Sequence, residues 1–166
     1  MERKPGPHDL LVALLLVQSL LERRSDAFFQ PYRLTSAQFN ILNLLAYRGG
    51  KMEQALLVEL LLVGKSSTSI VLHRMVRDGL VVRSEHPKDR RQVVLVLTPK
   101  GRALWRKISP RYEAGVQAIF GQLPASRRRP FLADLKVLHD ALLAGEGTSS
   151  SPNRWASLFT TPEGTP

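Results

Sequence analysis

The sequence contains no cysteine among its 166 residues. This absence excludes disulfides, cysteine-ligated metal sites and thiol-based redox sensing, and it fits a reducing cytoplasm. The longest apolar run, LLVALLLV at residues 10–17, is far shorter than the roughly 20 residues that span a bilayer. It follows Arg3 and Lys4 as a signal peptide would, but no small-residue cleavage pattern comes after it. We therefore expect a cytoplasmic protein without a membrane partner.

Signatures of catalysis are also missing. The chain has no phosphate-binding glycine loop, no Gly-x-Ser-x-Gly elbow, and no paired acid and base at a characteristic spacing. Its four histidines, at positions 8, 73, 86 and 139, do not have metal-ligand spacing. We expect a protein that is not an enzyme and that uses neither a metal nor another cofactor.

The length and composition are those of one globular domain, with 43% hydrophobic and 23% charged residues. Residues 145–166 are rich in Gly, Ser, Thr and Pro, which predicts a C-terminal tail after a single domain over residues 1–144. A short packed strap through Trp155, Leu158 and Phe159 is the alternative for that tail.

Proline is absent between Tyr32 and His86, so uninterrupted helices are expected there. Caps and glycine stops set the boundaries of four helices. They run from residue 8 to about 30, from Thr35 or Ser36 to Gly49–Gly50, from about Met52 or Glu53 to Leu62, and from about Lys65 to Asp78.

A β-hairpin is predicted after the glycine at position 79. Leu80–Ser84 and Gln92–Thr98 are rich in Val and Leu, and a charged loop with residues 88–91 separates them. Thr98 is expected to cap a further helix that begins near Pro99 and that Pro110 should kink or interrupt. Two helices joined by a Gly-containing turn and followed by a hairpin indicate a winged helix-turn-helix.

Positive charge is concentrated in this region. Residues 65–111 hold twelve Lys or Arg against three acids, a surplus of nine within a net charge of +10. Such a concentration is typical of a nucleic-acid partner, because each cation set against a phosphate releases counterions. A solvated basic face and a winged-helix module that binds proteins are the alternatives, and the second would require an apolar or acidic recognition face.

Three segments resemble the MarR (multiple antibiotic resistance regulator) family of transcription factors: LTSAQFNILNLL at 34–45, RMVRDGLVVR at 74–83, and DRRQVVLVLTPKG at 89–101. The resemblance spans residues 8–144 and implies a mainly α fold with a small β-hairpin wing. It implies a winged helix-turn-helix at 32–102 and dimerisation helices at 8–30 and 103–144. It also implies a homodimer on a pseudo-palindromic double-stranded DNA operator, usually a repressor released by a small aromatic or phenolic effector.

The residues themselves give a separate reason to expect a dimer. Leu10–Leu21 is apolar on nearly every side of its helix, and a domain of this size has little interior in which to enclose such a helix. A second subunit is the economical solution.

Helical spacing sorts the predicted recognition helix into two faces. Thr68, Val71, Leu72 and Met75 are expected to face inward. Ile70, on the outward face, offers only apolar contact. The expected DNA-binding residues of this helix are Lys65, Ser66, Ser67, Ser69, Ile70, His73, Arg74 and Arg77.

The resemblance places Arg91 of the wing in a minor groove and Lys88 and Arg90 on phosphates. Asp89 would repel DNA, so we expect it to orient a neighbouring Arg through a salt bridge. Residues 127–129, three arginines, are expected in a turn before the last helix, solvated or beside the DNA.

Aromatic side chains lie near the expected effector crevice. Phe28, Tyr32, Phe39 and Tyr47 are the candidates for ligand binding. Packing in the core is the alternative for all four.

Overall fold

The computed structural model describes residues 3–61, 65–86 and 89–145, without the side chains of residues 65–67, 90 and 145. The fold is mainly α-helical with one small antiparallel sheet, as predicted. The helices are α1 (Pro7–Phe29), α2 (Ser36–Tyr47), α3 (Gln54–Leu60), α4 (Lys65–Arg77), α5 (Pro99–Phe120) and α6 (Ala125–Gly145), and the strands are β1 (Lys51–Glu53), β2 (Val81–His86) and β3 (Asp89–Leu97). The predicted C-terminal tail lies outside the described residues beyond Gly145, as do Gly64 and Lys88.

Two compact units divide the chain between Asn40 and Ile41. The first contains α1, whose start is fixed by the Asp9 carboxylate accepting the Gly6 backbone N–H at 2.7 Å. Arg3 also pairs with Asp9 and lowers the pKa of that carboxyl below its usual value. The long apolar side chains of α1 remain exposed within the single chain, and Leu16 reaches 61%.

The start of α2 is a reciprocal cap. The Gln38 backbone N–H donates to the Thr35 hydroxyl at 3.2 Å, while the Gln38 side-chain oxygen accepts the Thr35 backbone N–H at 2.9 Å. These two bonds satisfy donors that a helix start leaves unpaired. They confirm Thr35, one of the two predicted candidates, as the cap.

The second unit holds a core between the helices and one face of the sheet. The strand order is β1-β3-β2, with antiparallel pairing throughout. Side chains alternate across the sheet, so that one face is apolar and covered. The core residues on this unit are Ile41, Leu42, Leu45, Met52, Leu57, Leu60, Leu61, Leu72, Met75, Leu80, Val81, Leu95, Leu97 and Ile108.

The third helix, predicted to begin at about Met52 or Glu53, begins at Gln54 with Glu53 as its N-cap, but the short strand before it was not predicted. Met52 and Glu53 lie in this strand, β1, where Met52 is buried opposite Leu95 of β3. Gly49 and Gly50 have φ values of +72° and +90°, a conformation that glycine adopts without strain. The glycines therefore end α2 as predicted, and the chain then pairs with a strand about forty residues further on before α3 begins.

Helix α5 is joined to the end of α4 through Thr98. The Thr98 hydroxyl accepts the Gly101 backbone N–H at 3.0 Å, which confirms the predicted cap. The same hydroxyl donates to the carbonyl oxygen of Gly79 at 2.7 Å. Because Gly79, with φ +69°, ends α4, a single side chain fixes the end of one helix against the start of another.

Two predictions about the last helices are corrected. Pro110 does not interrupt α5, which continues to Phe120; a proline removes one backbone bond, and a helix of 22 residues retains the others. The arginines at 127–129 do not precede α6 but lie inside its first turns, since that helix begins at Ala125.

We predict that Gly101→Ala destabilises the fold. An added Cβ would lie 2.2 Å from the Leu80 carbonyl oxygen and 2.8 Å from a Leu97 methyl group, and overpacking of this kind costs about 1–3 kcal/mol. Gly115→Ala is the matched control, because a Cβ there meets nothing within 4 Å and alanine favours helix by about 1 kcal/mol. Urea unfolding measures both free energies. Equal stability of the two variants would contradict the packing argument.

Candidate nucleic-acid interface

The outward face of α4 is polar except at one position. Thr68, Leu72 and Met75 are buried and Val71 is half-buried, which confirms the predicted inward face. Val76 is also half-buried, while Ser69, Ile70, His73, Arg74 and Arg77 are exposed. The first turn of α4 consists of Lys65, Ser66 and Ser67, of which only the backbone is described.

The cations of α4 are available for an external partner. Arg77 lies 3.3 Å from Asp78, but both side chains are largely exposed, and such surface pairs contribute little to stability. The orientation of the helix depends more on Lys100, whose ammonium donates to the Asp78 carbonyl oxygen at 2.7 Å. Lys100 was not among the predicted site residues, since the two positions are 22 residues apart and no local pattern connects them.

The wing differs from the predicted loop. Asp89, Arg90 and Arg91 belong to β3, so the connection is shorter than the charge pattern suggested. His86 of β2 pairs with Asp89, with an irregularity in register after Glu85. Lys88 lies outside the described residues, and only the backbone of Arg90 is described.

Asp89 organises the end of the wing through backbone contact. One carboxylate oxygen accepts the Arg91 backbone N–H at 3.0 Å, and the other accepts the Gln92 side-chain amide at 3.1 Å. Asp89 thus holds Arg91 through a local turn-like bond to its backbone, whereas an ion pair to Arg90 would involve a side chain outside the described residues. This bond fixes the backbone of Arg91 while its side chain remains exposed.

The four predicted ligand residues fall into two groups. In the first unit, the rings of Phe28 and Tyr32 lie 5.9 Å apart, and Phe29 lies 4.9 Å from Phe39. Phe39 is fully buried and therefore packs in the core, whereas Phe28 and Tyr32 are half-buried.

Tyr47 belongs to a cluster of the second unit. Its hydroxyl donates to Glu113 at 3.1 Å, and its ring lies 6.0 Å edge-on from Trp105. The Trp105 ring N–H donates to the Asn43 side-chain oxygen at 2.9 Å. Burial raises the pKa of Tyr47 above its usual value of 10.0, and the hydrogen bond and charge of Glu113 raise it further. These contacts tie α2 to α5.

Among the described residues, no cluster of three or more His, Asp or Glu side chains could hold a metal ion. In the same part of the chain, no helix has the length and apolar character required to cross a membrane.

Comparison with known proteins places this geometry in a family. Residues 34–92 match the MarR family model. The HTH-type transcriptional regulator FarR of Neisseria gonorrhoeae is 30% identical over 135 residues, which cover 79% of this chain and 91% of FarR. The chain belongs to the MarR family. Its members are transcriptional regulators rather than enzymes, so the chain is a helix-turn-helix transcriptional regulator.

A second curated relative of this MarR-family chain is the homoprotocatechuate degradative operon repressor of Escherichia coli. It is 31% identical over 118 residues, which cover 68% of this chain and 79% of the repressor.

Solved structures show the same winged-helix fold. AbsC, a MarR-family transcriptional regulator from Streptomyces coelicolor, superposes with a TM-score of 0.76 at 26% identity, over 86% of this chain and 99% of AbsC. Sco3205 from the same organism, solved in complex with DNA, has a TM-score of 0.70 at 21% identity, over 94% of this chain and 98% of its own.

The raised pKa of Tyr47 predicts a loss of stability at high pH. The pKa of Tyr47 is higher in the folded chain than in the unfolded chain, where it is 10.0. The contribution of the protonated phenol to stability is therefore complete below that pH and is lost as the pH rises through the folded pKa. Tyr47→Phe should therefore flatten the decline in unfolding free energy above pH 10. Glu113→Gln keeps an oxygen acceptor but removes the charge, so phenolate absorbance should appear at lower pH. Tyr112→Phe in the background removes the second tyrosine that Glu113 affects, and an unchanged titration there would contradict the contribution assigned to Glu113 but not that of burial.

Proposed function

We propose that this chain is a cytoplasmic, ligand-responsive repressor that binds a pseudo-palindromic double-stranded DNA operator as a homodimer. The observation that carries the proposal is the outward face of α4, where Ser69, His73, Arg74 and Arg77 are exposed together beside a wing that presents Arg91. A major groove about 12 Å wide admits such a helix. Sco3205, which has the same fold, was solved in complex with DNA.

The contacts divide between the two elements. In α4, the residues proposed to contact bases or phosphates are Lys65, Ser66, Ser67, Ser69, Ile70, His73, Arg74 and Arg77. In the wing they are Lys88, Arg90 and Arg91, with Arg91 in the minor groove and Asp89 as its support. Arginine suits a narrow minor groove because the negative potential is deepest there.

A second copy of the chain is the proposed cover for the apolar terminal helices. Exposed apolar side chains are spread along both α1 and α6 within the single chain, and Leu142 of α6 is 69% exposed. Exposed apolar side chains in such numbers along a helix mark an interface. Twofold symmetry would present two copies of α4 to the two halves of a palindrome.

The effector is proposed to be a small aromatic or phenolic molecule. Phe28 and Tyr32 supply half-buried rings for such a ligand, and Phe39 supports them from the core. Tyr47 of the second unit is a separate candidate, with a phenol that donates to Glu113. The name of the E. coli relative, a repressor of a homoprotocatechuate degradative operon, is consistent with control by aromatic compounds.

Arg91→Ala should weaken binding to a DNA duplex selected from a random library. Each lost phosphate contact lowers the slope of log affinity against log salt by about 0.9, so we expect roughly one phosphate contact fewer per subunit. Some preference for A·T-rich flanks should also disappear. Salt titrations of wild type and variant measure both effects. Unchanged affinity and slope would leave the wing as a solvated tip.

Two substitutions of Asp89 are the controls for this experiment. Asp89→Asn keeps an oxygen for the Arg91 backbone N–H and removes a negative charge, so binding should be equal or tighter. Asp89→Ala removes the acceptor as well and should bind more weakly than Asp89→Asn. If Asp89→Ala bound as tightly as Asp89→Asn, the acid would act through charge alone.

Replacing Leu14 and Leu15 together with Asp should produce a monomer or an unfolded chain. A fully buried leucine contributes about 1.5–3 kcal/mol, and charges cannot take its place in a dry interface. Arg23→Asp changes a charge at an exposed position of α1 beyond the apolar segment and is the control, expected to remain dimeric. Sedimentation velocity measures the mass of each protein. A folded wild-type monomer at micromolar concentration would contradict the dimer.

A further inference from the structure

One apolar side chain stands out on the polar face of α4. Ile70 is 59% exposed, more than the other exposed large apolar side chains of the winged segment, such as Val82 at 46%. Its neighbours one turn further along the same face are His73 and Arg74, both exposed. A β-branched residue is a weaker helix former than the long polar residues suited to such a position. Helix stability therefore does not explain an isoleucine there.

Ile70 lies at the end of α4 that enters the groove in the proposed docking. It is the sixth residue of the helix, about 7.5 Å along the axis from Lys65 at the rise of an α-helix. The Cα–Cβ bonds of a helix tilt toward its N-terminus, so the side chain leans toward the first turn. Arg74 and Arg77 lie further along, where they can reach phosphates on the groove walls.

The chemistry of the groove limits what an isoleucine can recognise. The major-groove edges of the bases carry donors and acceptors, which an aliphatic side chain cannot match, and the thymine 5-methyl group, which it can. Isoleucine is also stiff about its first side-chain torsion in a helix, so it loses little conformational freedom on contact. The cations on the same face fit phosphate oxygens and do not fit an apolar protein surface.

We propose that Ile70 determines specificity by contacting the methyl group of one thymine in each operator half-site. This inference rests on the proposed function, since it requires α4 to lie in a major groove. It gives the recognition helix one base position that is read by apolar contact rather than by hydrogen bonding.

The test uses the full chain and a duplex selected by it from a random library. Each thymine of one half-site is replaced in turn by deoxyuridine, which removes only the methyl group. Wild type should lose about fourfold in affinity at one position, the effect of one buried methyl group, and about fifteenfold when both half-sites are changed. Ile70→Ala should bind the unmodified duplex more weakly and bind the thymine and deoxyuridine forms of that position equally.

Two variants control the experiment. Val82→Ala removes another exposed apolar side chain outside the proposed interface and should keep the full preference for thymine. Ile70→Val keeps the branched, stiff side chain and should keep part of it. Thermal melting by circular dichroism verifies that each variant is folded.

The possible outcomes separate this inference from the proposed function. Wild type that selects a duplex but tolerates deoxyuridine at every position would overturn the role of Ile70 and leave DNA binding intact. The role of Ile70 would also be overturned if Ile70→Ala lost as much affinity as wild type when that thymine is replaced by deoxyuridine. Failure of wild type to select any duplex would overturn the proposed function, and the role of Ile70 with it.

Discussion

The close approach of the first turn of α5 to the backbone of Leu80 is the constraint on which the winged region depends. The space there is too small for a Cβ at position 101, and the Thr98 hydroxyl is shared between the cap of α5 and the end of α4. Lys100 adds a third bond, to the carbonyl oxygen of Asp78. Helix α4, the wing and helix α5 therefore meet at one junction, and none of the three can turn independently of the other two.

The wing shows how an acid can remain within a basic surface. Asp89 repels phosphate at long range, but its two oxygens accept the Arg91 backbone N–H and the Gln92 amide. Charge-assisted bonds of this kind are stronger than neutral ones. The local bonds hold the Arg91 backbone in a defined position, so that less backbone conformational entropy remains to be lost on binding. Asp89 thus supports the basic surface by restricting the backbone of Arg91.

Local chemistry explains which parts of the fold were predictable from the sequence. The caps at Thr35 and Thr98 and the helix end at Gly79 depend on residues within four positions, and all three were predicted. Strand β1 was missed because Met52 is apolar in a helical context too, and only its pairing with Leu95 makes it a strand. The start of α6 was misplaced because three successive arginines suited a solvated turn, whereas they lie inside the helix that begins at Ala125.

The inward and outward faces of α4 were predictable from the sequence, but the long-range hydrogen bonds that hold α5 were not. Helical periodicity sorted α4 correctly, because burial follows the spacing of apolar residues. The bonds from Tyr47 to Glu113 and from Trp105 to Asn43 join residues 66 and 62 positions apart. No spacing rule connects residues so far apart.

These long-range bonds constrain the orientation of α5. Helix α5 is held at its start by the bond from the Thr98 hydroxyl to the Gly79 carbonyl oxygen, and further along by Asn43 and Tyr47 of α2. With attachments at both points, the winged region follows α5 as one piece. In the proposed dimer on a palindromic operator, the spacing between the two copies of α4 would have to match one helical repeat of DNA, about 34 Å. Because α4 is joined to α5 at Thr98, the orientation of α5 would set that spacing.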